Sequence, residues 1–187
     1  HSPEGNISLS IAFADREFDV PISIAIGILV KDALSEVFNL DSIKLKWPND
    51  LVFEKKKIGG ILVEKEVFSN YTKAIVGIGI NLELDKKESW WGDFGNLNGK
   101  NLRDKIINKI LMKFEILFRD GLKDWKKLWN QSCIHNDAII SVARNDEIIK
   151  GKYLGINHSG ELLLQNETGE IISFSSGEVS IKGIYNK

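Results

Sequence analysis

Apolar and polar residues alternate over residues 6–13, with Ile7, Leu9, Ile11 and Phe13 on one face, which predicts a strand. Residues 15–19 are a polar connection, and Pro21 suits the first turn of a helix. From 22 to 38 the chain is apolar nearly all round until Lys31, the pattern of a buried helix. The β-branched isoleucines make a strand the rival there; the length of the run favours helix. Residues 43–47 predict a strand, 51–53 and 58–64 a hairpin around Glu54-Lys55-Lys56-Lys57, and 74–84 a further strand. The polar stretch 85–100, with Trp90-Trp91, predicts a loop. Over 101–130, Ile106, Ile107, Ile110, Phe114, Leu117 and Phe118 recur at helical spacing, and Gly121 either bends this helix or splits it in two.

After Cys133 the texture changes. Short strands are predicted at 138–143, 147–156, 161–165, 170–174 and 178–181, separated by Asn-, Gly- and Ser-rich turns. That is a small antiparallel barrel or sandwich. The pattern divides the chain near residue 134, into units 1–134 and 135–187. The fold class expected is α+β: a mixed or mostly antiparallel sheet with helices on one side, then a small β-barrel.

The 187 residues suffice for one good domain and a small one. A formal net charge of −1 gives no electrostatic footprint for nucleic acid. The single cysteine excludes an internal disulfide and fits a reducing, cytoplasmic setting. The longest apolar run, 24–30, is too short to span a bilayer, and the first residues show no secretory leader pattern. The chain begins with His1 rather than Met, so it is expected to be less than a complete translated reading frame.

The chemistry concentrates in residues 46–64, KWPNDLVFEKKKIGGILVE, and in Gly77-Ile78-Gly79-Ile80-Asn81. Trp47-Pro48-Asn49-Asp50 ends a strand by turn chemistry, because Pro fixes φ and Asn and Asp bond their own backbone. Gly59-Gly60 sits inside a β-branched apolar run, where glycine packs nothing. It marks the close approach of a ligand, a bulge, or tight strand packing. On charge alone, Lys57 shares with Lys55 and Lys56 the reading of a solvated hairpin tip. Asn81 and Asn49 read as turn residues, and Asp50 as the closing residue of an Asx turn. Gly95 to Asn101 is one residue short of a P-loop and lacks its Ser or Thr. Gly77-Ile78-Gly79 lacks the third glycine of a dinucleotide fingerprint. His135 and His158, with one cysteine, make no metal set.

Three motifs in one order, Lys46-Trp47-Pro48-Asn49-Asp50, Lys57-Ile58-Gly59-Gly60-Ile61-Leu62-Val63-Glu64 and Gly77-Ile78-Gly79-Ile80-Asn81, resemble the core of the biotin protein ligases. The tail resembles that family's SH3-like domain, at Gly155 to Leu162 and Ser176 to Ser180. The resemblance implies a class II synthetase-like biotin/lipoate ligase fold followed by an SH3-like barrel. It implies a ligase that makes biotinyl-5′-adenylate from biotin and ATP with Mg²⁺. The biotin then passes to a lysine of a biotin carboxyl carrier protein, a subunit of acetyl-CoA carboxylase. In that scheme Lys57 and Asp50 are catalytic. Lys57, Gly59, Gly60, Ile61, Leu62, Gly77 and Gly79 lie against biotin; Asn49, Asn81 and Lys182 lie on the ATP and adenylate side. An edge-to-edge homodimer through the central sheet is open by family analogy. The alternatives are a lipoate-protein ligase and a truncated or degenerate homologue without catalysis. A DNA-binding module of a bifunctional ligase and repressor would lie before residue 1. His1-Ser2-Pro3-Glu4-Gly5-Asn6 resembles the segment that follows the family's glycine- and arginine-rich loop. Residues 1–187 alone are therefore expected to be inactive or nearly so.

Overall fold

The computed structural model describes residues 5–14, 20–69, 72–85, 88–144, 147–176 and 179–182. The first sheet has five antiparallel strands: β1 (Ile7–Ala14), β2 (Lys44–Lys46), β3 (Asp50–Phe53), β4 (Lys56–Val67) and β5 (Thr72–Ile80). They lie in the order β1-β5-β4-β3-β2. Between β1 and β2 runs the helix α1 (Ile22–Phe38), which packs on β2, β3 and β4. Its buried residues, from Ile22 to Val37, occur on nearly every side, as the unbroken apolar run requires. Ile7, Leu45, Leu51, Ile61 and Ile78 point into the same core.

The long helical pattern is split. Helix α2 (Arg103–Asp120) ends at Gly121, whose φ of 71° suits glycine, and α3 (Trp125–Ser132) follows. Two 3₁₀ turns, Gly95–Leu97 and Gly99–Leu102, occupy the end of the stretch expected to be loop. The hairpin turn is also tighter than expected. Only Glu54 and Lys55 form it, both at positive φ, as a two-residue hairpin of this twist demands. Lys57 therefore belongs to strand β4 and not to a solvated tip.

A second antiparallel sheet follows, made of β6 (Ile139–Arg144), β7 (Glu147–Ile156), β8 (Leu162–Asn166), β9 (Ile171–Phe174) and β10 (Val179–Lys182). Its order is β10-β6-β7-β8-β9. Several expectations lie wholly or partly outside the described residues: the segment His1 to Glu4, the connection 15–19, the Asn145-Asp146 turn and Gly177-Glu178. Among the described residues no helix is long and apolar enough to cross a membrane.

The second sheet is tied to the first beside one turn. Trp47, 1% exposed, donates its Nε1–H to the Gly160 carbonyl at 2.9 Å. The Ile134 amide donates to Leu45 O at 2.8 Å, and Trp129 Nε1 donates to the Tyr153 hydroxyl at 2.9 Å. His135 is buried in the same place, 1% exposed, with no hydrogen-bond partner for Nε2 among the described residues.

Burial, helped by the Lys46 charge, pulls His135 down to about 4. The folded protein thus holds the ring neutral, while the unfolded chain protonates it near 6.5. This contribution to stability is complete above about pH 6.5 and is lost as the pH falls towards 4, by up to about 3 kcal/mol. Urea denaturation of the parent and of His135→Phe across that range checks this. The variant is expected to have the flatter profile; identical slopes would contradict it.

Candidate active site

The face of the first sheet turned away from α1 carries a cavity of about 390 Å³. That is within the ordinary size of small-molecule sites. Strand register explains its floor. Asp50 pairs with Gly60, Gly60 with Gly79, and Gly79 with Ser8, so one row crosses four strands with two glycines at its centre. The next row runs from Leu62 to Gly77 to Ser10. Side chains would normally fill this face; here glycines leave backbone exposed, the condition for a ligand to lie flat on main chain.

A bulge puts the charged residues on the same face. Leu51 pairs with Gly59 but Val52 pairs with Lys57, so Ile58 is an extra residue on β4. In a regular strand, residues three apart point to opposite faces. The bulge cancels that alternation. Ile58 is buried, while Lys57 and Gly60 both line the cavity. Gly59 is the residue that permits the bulge: a Cβ there would run into the Gly79 carbonyl oxygen and come within 3.2 Å of Leu51 Cδ1. The two glycines expected to act together therefore do different things. Gly60 opens the floor, whereas Gly59 faces the core and is absent from the cavity lining.

Charge gathers at one end. Lys57 Nζ lies 2.5 Å from Asp50 Oδ1, and Lys46 Nζ lies 3.9 Å from Asp50 Oδ2. Burial pushes the Lys46 ammonium below its ordinary range; Asp50 opposes this and Lys57 adds to it. Two cations around one carboxylate leave an excess of positive charge in this trio. Such a site favours an anion, because opposite charge nearby stabilises the charged form.

Main chain is held around the trio by side-chain amides. Asn49 Nδ2 donates to Ile61 O at 2.8 Å, and the Ile61 amide donates to Asn49 O at 2.9 Å. The Trp-Pro-Asn-Asp turn is thereby fixed to β4, and its Trp47–Pro48 bond is cis. Where β5 stops at Ile80, the chain returns to take its place beside β4. Lys57 N donates to Trp90 O at 2.9 Å and Gly92 N donates to Lys57 O at 2.8 Å. Asn81 secures that segment by donating its Nδ2–H to Gly92 O at 3.1 Å. Buried Asn6 does likewise one step earlier, its Oδ1 accepting from the amides of Leu82 and Glu83 at 2.6 and 3.0 Å.

The structure thus brings together Asn49, Asp50, Lys57, Gly60, Ile61, Leu62, Gly77 and Gly79 around one cavity. Asn81 stands beside it as the tie of the 90–92 segment. Lys182 ends β10, pairing with Ser141 of the second sheet, and its side chain lies outside the described residues. Ser8 and Ser10 were missed by sequence reasoning. Their only signal was the polar half of the alternation in β1, which also describes any solvent-facing edge.

Residues 1–81 match the family model of the biotin/lipoate A/B protein ligase family, and residues 139–182 match that of the biotin protein ligase C-terminal domain. Over both stretches the chain is similar to the biotin protein ligases. It is 27% identical over 173 residues to the bifunctional ligase/repressor BirA of Escherichia coli K12, covering 87% of this chain and 53% of that protein. It is also 27% identical over 181 residues to biotin–protein ligase 2 of Arabidopsis thaliana, covering 87% and 55%. The chain therefore spans about half the length of these relatives. Among solved structures, biotin protein ligase from Aquifex aeolicus in complex with biotin and ATP matches with a TM-score of 0.69 at 25% identity, over 94% of this chain and 78% of that one. A point mutant of the same enzyme in complex with biotin matches with a TM-score of 0.72 at 25% identity, over 96% and 78%.

The two glycines separate experimentally. Gly59→Ala forces backbone apart and is expected to cost about 1–3 kcal/mol, read as a lower Tm. A Cβ on Gly60 has its nearest neighbours at 3.7 Å, so Gly60→Ala is expected to fold with a change under about 1 kcal/mol. Its methyl group would stand in the cavity and weaken ligand binding. Equal losses of Tm in both variants would contradict the assignment.

Proposed function

We propose that this chain carries the catalysis of an ATP-dependent biotin protein ligase that modifies a lysine of a biotin carboxyl carrier protein. The observation that carries the reading is the Lys57 ammonium beside a row of glycines on an exposed sheet face, within matched family motifs. In the first step a carboxylate oxygen of biotin attacks the α-phosphorus of ATP. The bond from that phosphorus to the pyrophosphate oxygen breaks, and pyrophosphate leaves. Two anions must meet, so a fixed cation between them lowers the barrier. Lys57 is that cation, on a stem long enough to leave Asp50 and follow the developing charge. Mg²⁺ accompanying ATP would supply counter-charge to its phosphates, since the described residues offer no carboxylate cluster of their own for a metal.

Biotin lies over Gly60, Gly77 and Gly79, with Leu62 against its apolar part; Gly59 contributes by permitting the bulge. Ile61 acts through its backbone, which Asn49 already holds. The nucleotide side is Asn49, the 90–92 segment held by Asn81, and Lys182.

In the second step the amine of the carrier lysine attacks the acyl carbon of biotinyl-5′-adenylate. A C–N bond forms, the C–O bond to the phosphate breaks, and AMP leaves with the electron pair. The lysine arrives as an ammonium, with a reference pKa of about 10.4. Asp50 orients it and accepts its proton for relay to solvent. A lipoate-protein ligase shares the first family model; the C-terminal domain match favours biotin.

Both half-reactions are measurable in the full-length protein. Lys57→Ala is expected to lower biotin-dependent pyrophosphate exchange at least about 100-fold. Asp50→Asn is expected to slow transfer from preformed biotinyl-5′-adenylate by about 10–100-fold more than it slows exchange. Unchanged exchange in the first variant, or equal losses in the second, would overturn these roles.

A further inference from the structure

Asp50 is flanked by two lysines that differ in their freedom to move. Lys57 approaches Oδ1 and is 33% exposed; Lys46 approaches Oδ2 and is 11% exposed. Beside Lys57 is open glycine floor, with its Cε 3.7 Å from where a Gly60 Cβ would sit. Lys46 is instead fixed along its own strand. Its backbone pairs with Asp50 itself across β2 and β3. The residue before it, Leu45, accepts the Ile134 amide through its carbonyl, and the residue after it, Trp47, donates to Gly160. The second sheet and its lead-in thus clamp Lys46 from both sides.

This asymmetry matters because the carboxylate is 14% exposed. Withdrawing the cation from a buried pair leaves an uncompensated charge, which is strongly unfavourable. If Lys57 were the sole counter-ion, an anionic ligand that attracts it would leave the Asp50 carboxylate uncompensated, and the side chain would rotate out of the site. At 3.9 Å the Lys46 ammonium is beyond a tight hydrogen bond, so it has room to close on Asp50 when Lys57 departs.

We propose that Lys46 is the standing counter-ion and positioning residue of Asp50. It holds the carboxylate aimed from the Oδ2 side while Lys57 follows the substrate anion, so that the oxygen Lys57 leaves, Oδ1, receives the incoming carrier ammonium. This rests on the ligase reading and deepens it. Lys46 takes no part in bond making. The acyl transfer is balanced as written above, and the proton goes to Asp50 and then to solvent.

The test uses full-length protein with biotin, MgATP and a carrier domain, comparing the parent, Lys46→Met and Lys46→Arg. Methionine keeps the length of the stem and removes the charge; arginine restores the charge. Lys46→Met is expected to slow single-turnover transfer from biotinyl-5′-adenylate at least about tenfold more than it slows pyrophosphate exchange. The carrier KM should stay within about threefold, because Lys46 acts on the reacting lysine through Asp50 and not on the carrier directly. Lys46→Arg should recover most of the transfer rate. Parental transfer in Lys46→Met overturns the assignment, as do equal losses in both half-reactions or an arginine variant no better than methionine. A parent silent in both half-reactions overturns the ligase reading, and the Lys46 role with it.

Discussion

The extra residue at Ile58 is the constraint on which the site depends. A strand alternates its side chains with period two, and no choice of residue types alters that. Without the bulge, Lys57 would point into the core beneath α1 whenever Gly60 faced the cavity, or the reverse. With it, the ammonium, the Asp50 carboxylate and the glycine row share one face. Gly59 makes the bulge possible by bringing β4 against β5 without a side chain between them. The return of residues 90–92 beside Lys57 then takes up hydrogen-bonding groups that the end of β5 would leave unpaired.

From this arrangement follows a division of labour between the two sheets. The first supplies the floor, where glycines leave backbone exposed to the cavity. The second, through Trp47, Leu45 and the buried lead-in around His135, fixes the turn that carries Asn49 and Asp50. A small β-domain can therefore matter to the chemistry without touching it. One carboxylate shared by two lysines leaves an excess positive charge that an anion can compete for. The Lys57 ammonium, 33% exposed at the open cavity, is the responsive member of the trio, while Lys46 and Asp50 stay largely buried.

Much of this was legible in the sequence, for reasons that can be named. The helix Ile22–Phe38 was visible because an unbroken apolar run of that length suits no ordinary strand. Strand β1 and the second sheet were visible because period-two alternation and Gly- or Asn-rich turns are local signals. Asp50, Lys57 and the glycine pairs were singled out by their resemblance to the ligase motifs, and all but Gly59 line the cavity. Pairing between strands is what alternation alone cannot show. The register that puts Ser8 and Ser10 beside Gly79 and Gly77 is non-local, as is the bulge that gives Gly59 and Gly60 opposite duties. Asn49 and Asn81 read equally as turn residues and ligand contacts. Both donate to main chain, and that use depended on where Ile61 and Gly92 came to lie.

The glycine-floored cation site is proposed to activate biotin for transfer to a carrier lysine. The most direct measurement is the intact mass of a biotin carboxyl carrier domain after incubation with the full-length protein, MgATP, and biotin and lipoate together. The account predicts a single biotinyl adduct on the carrier. A lipoyl adduct, or an unmodified carrier, would contradict it.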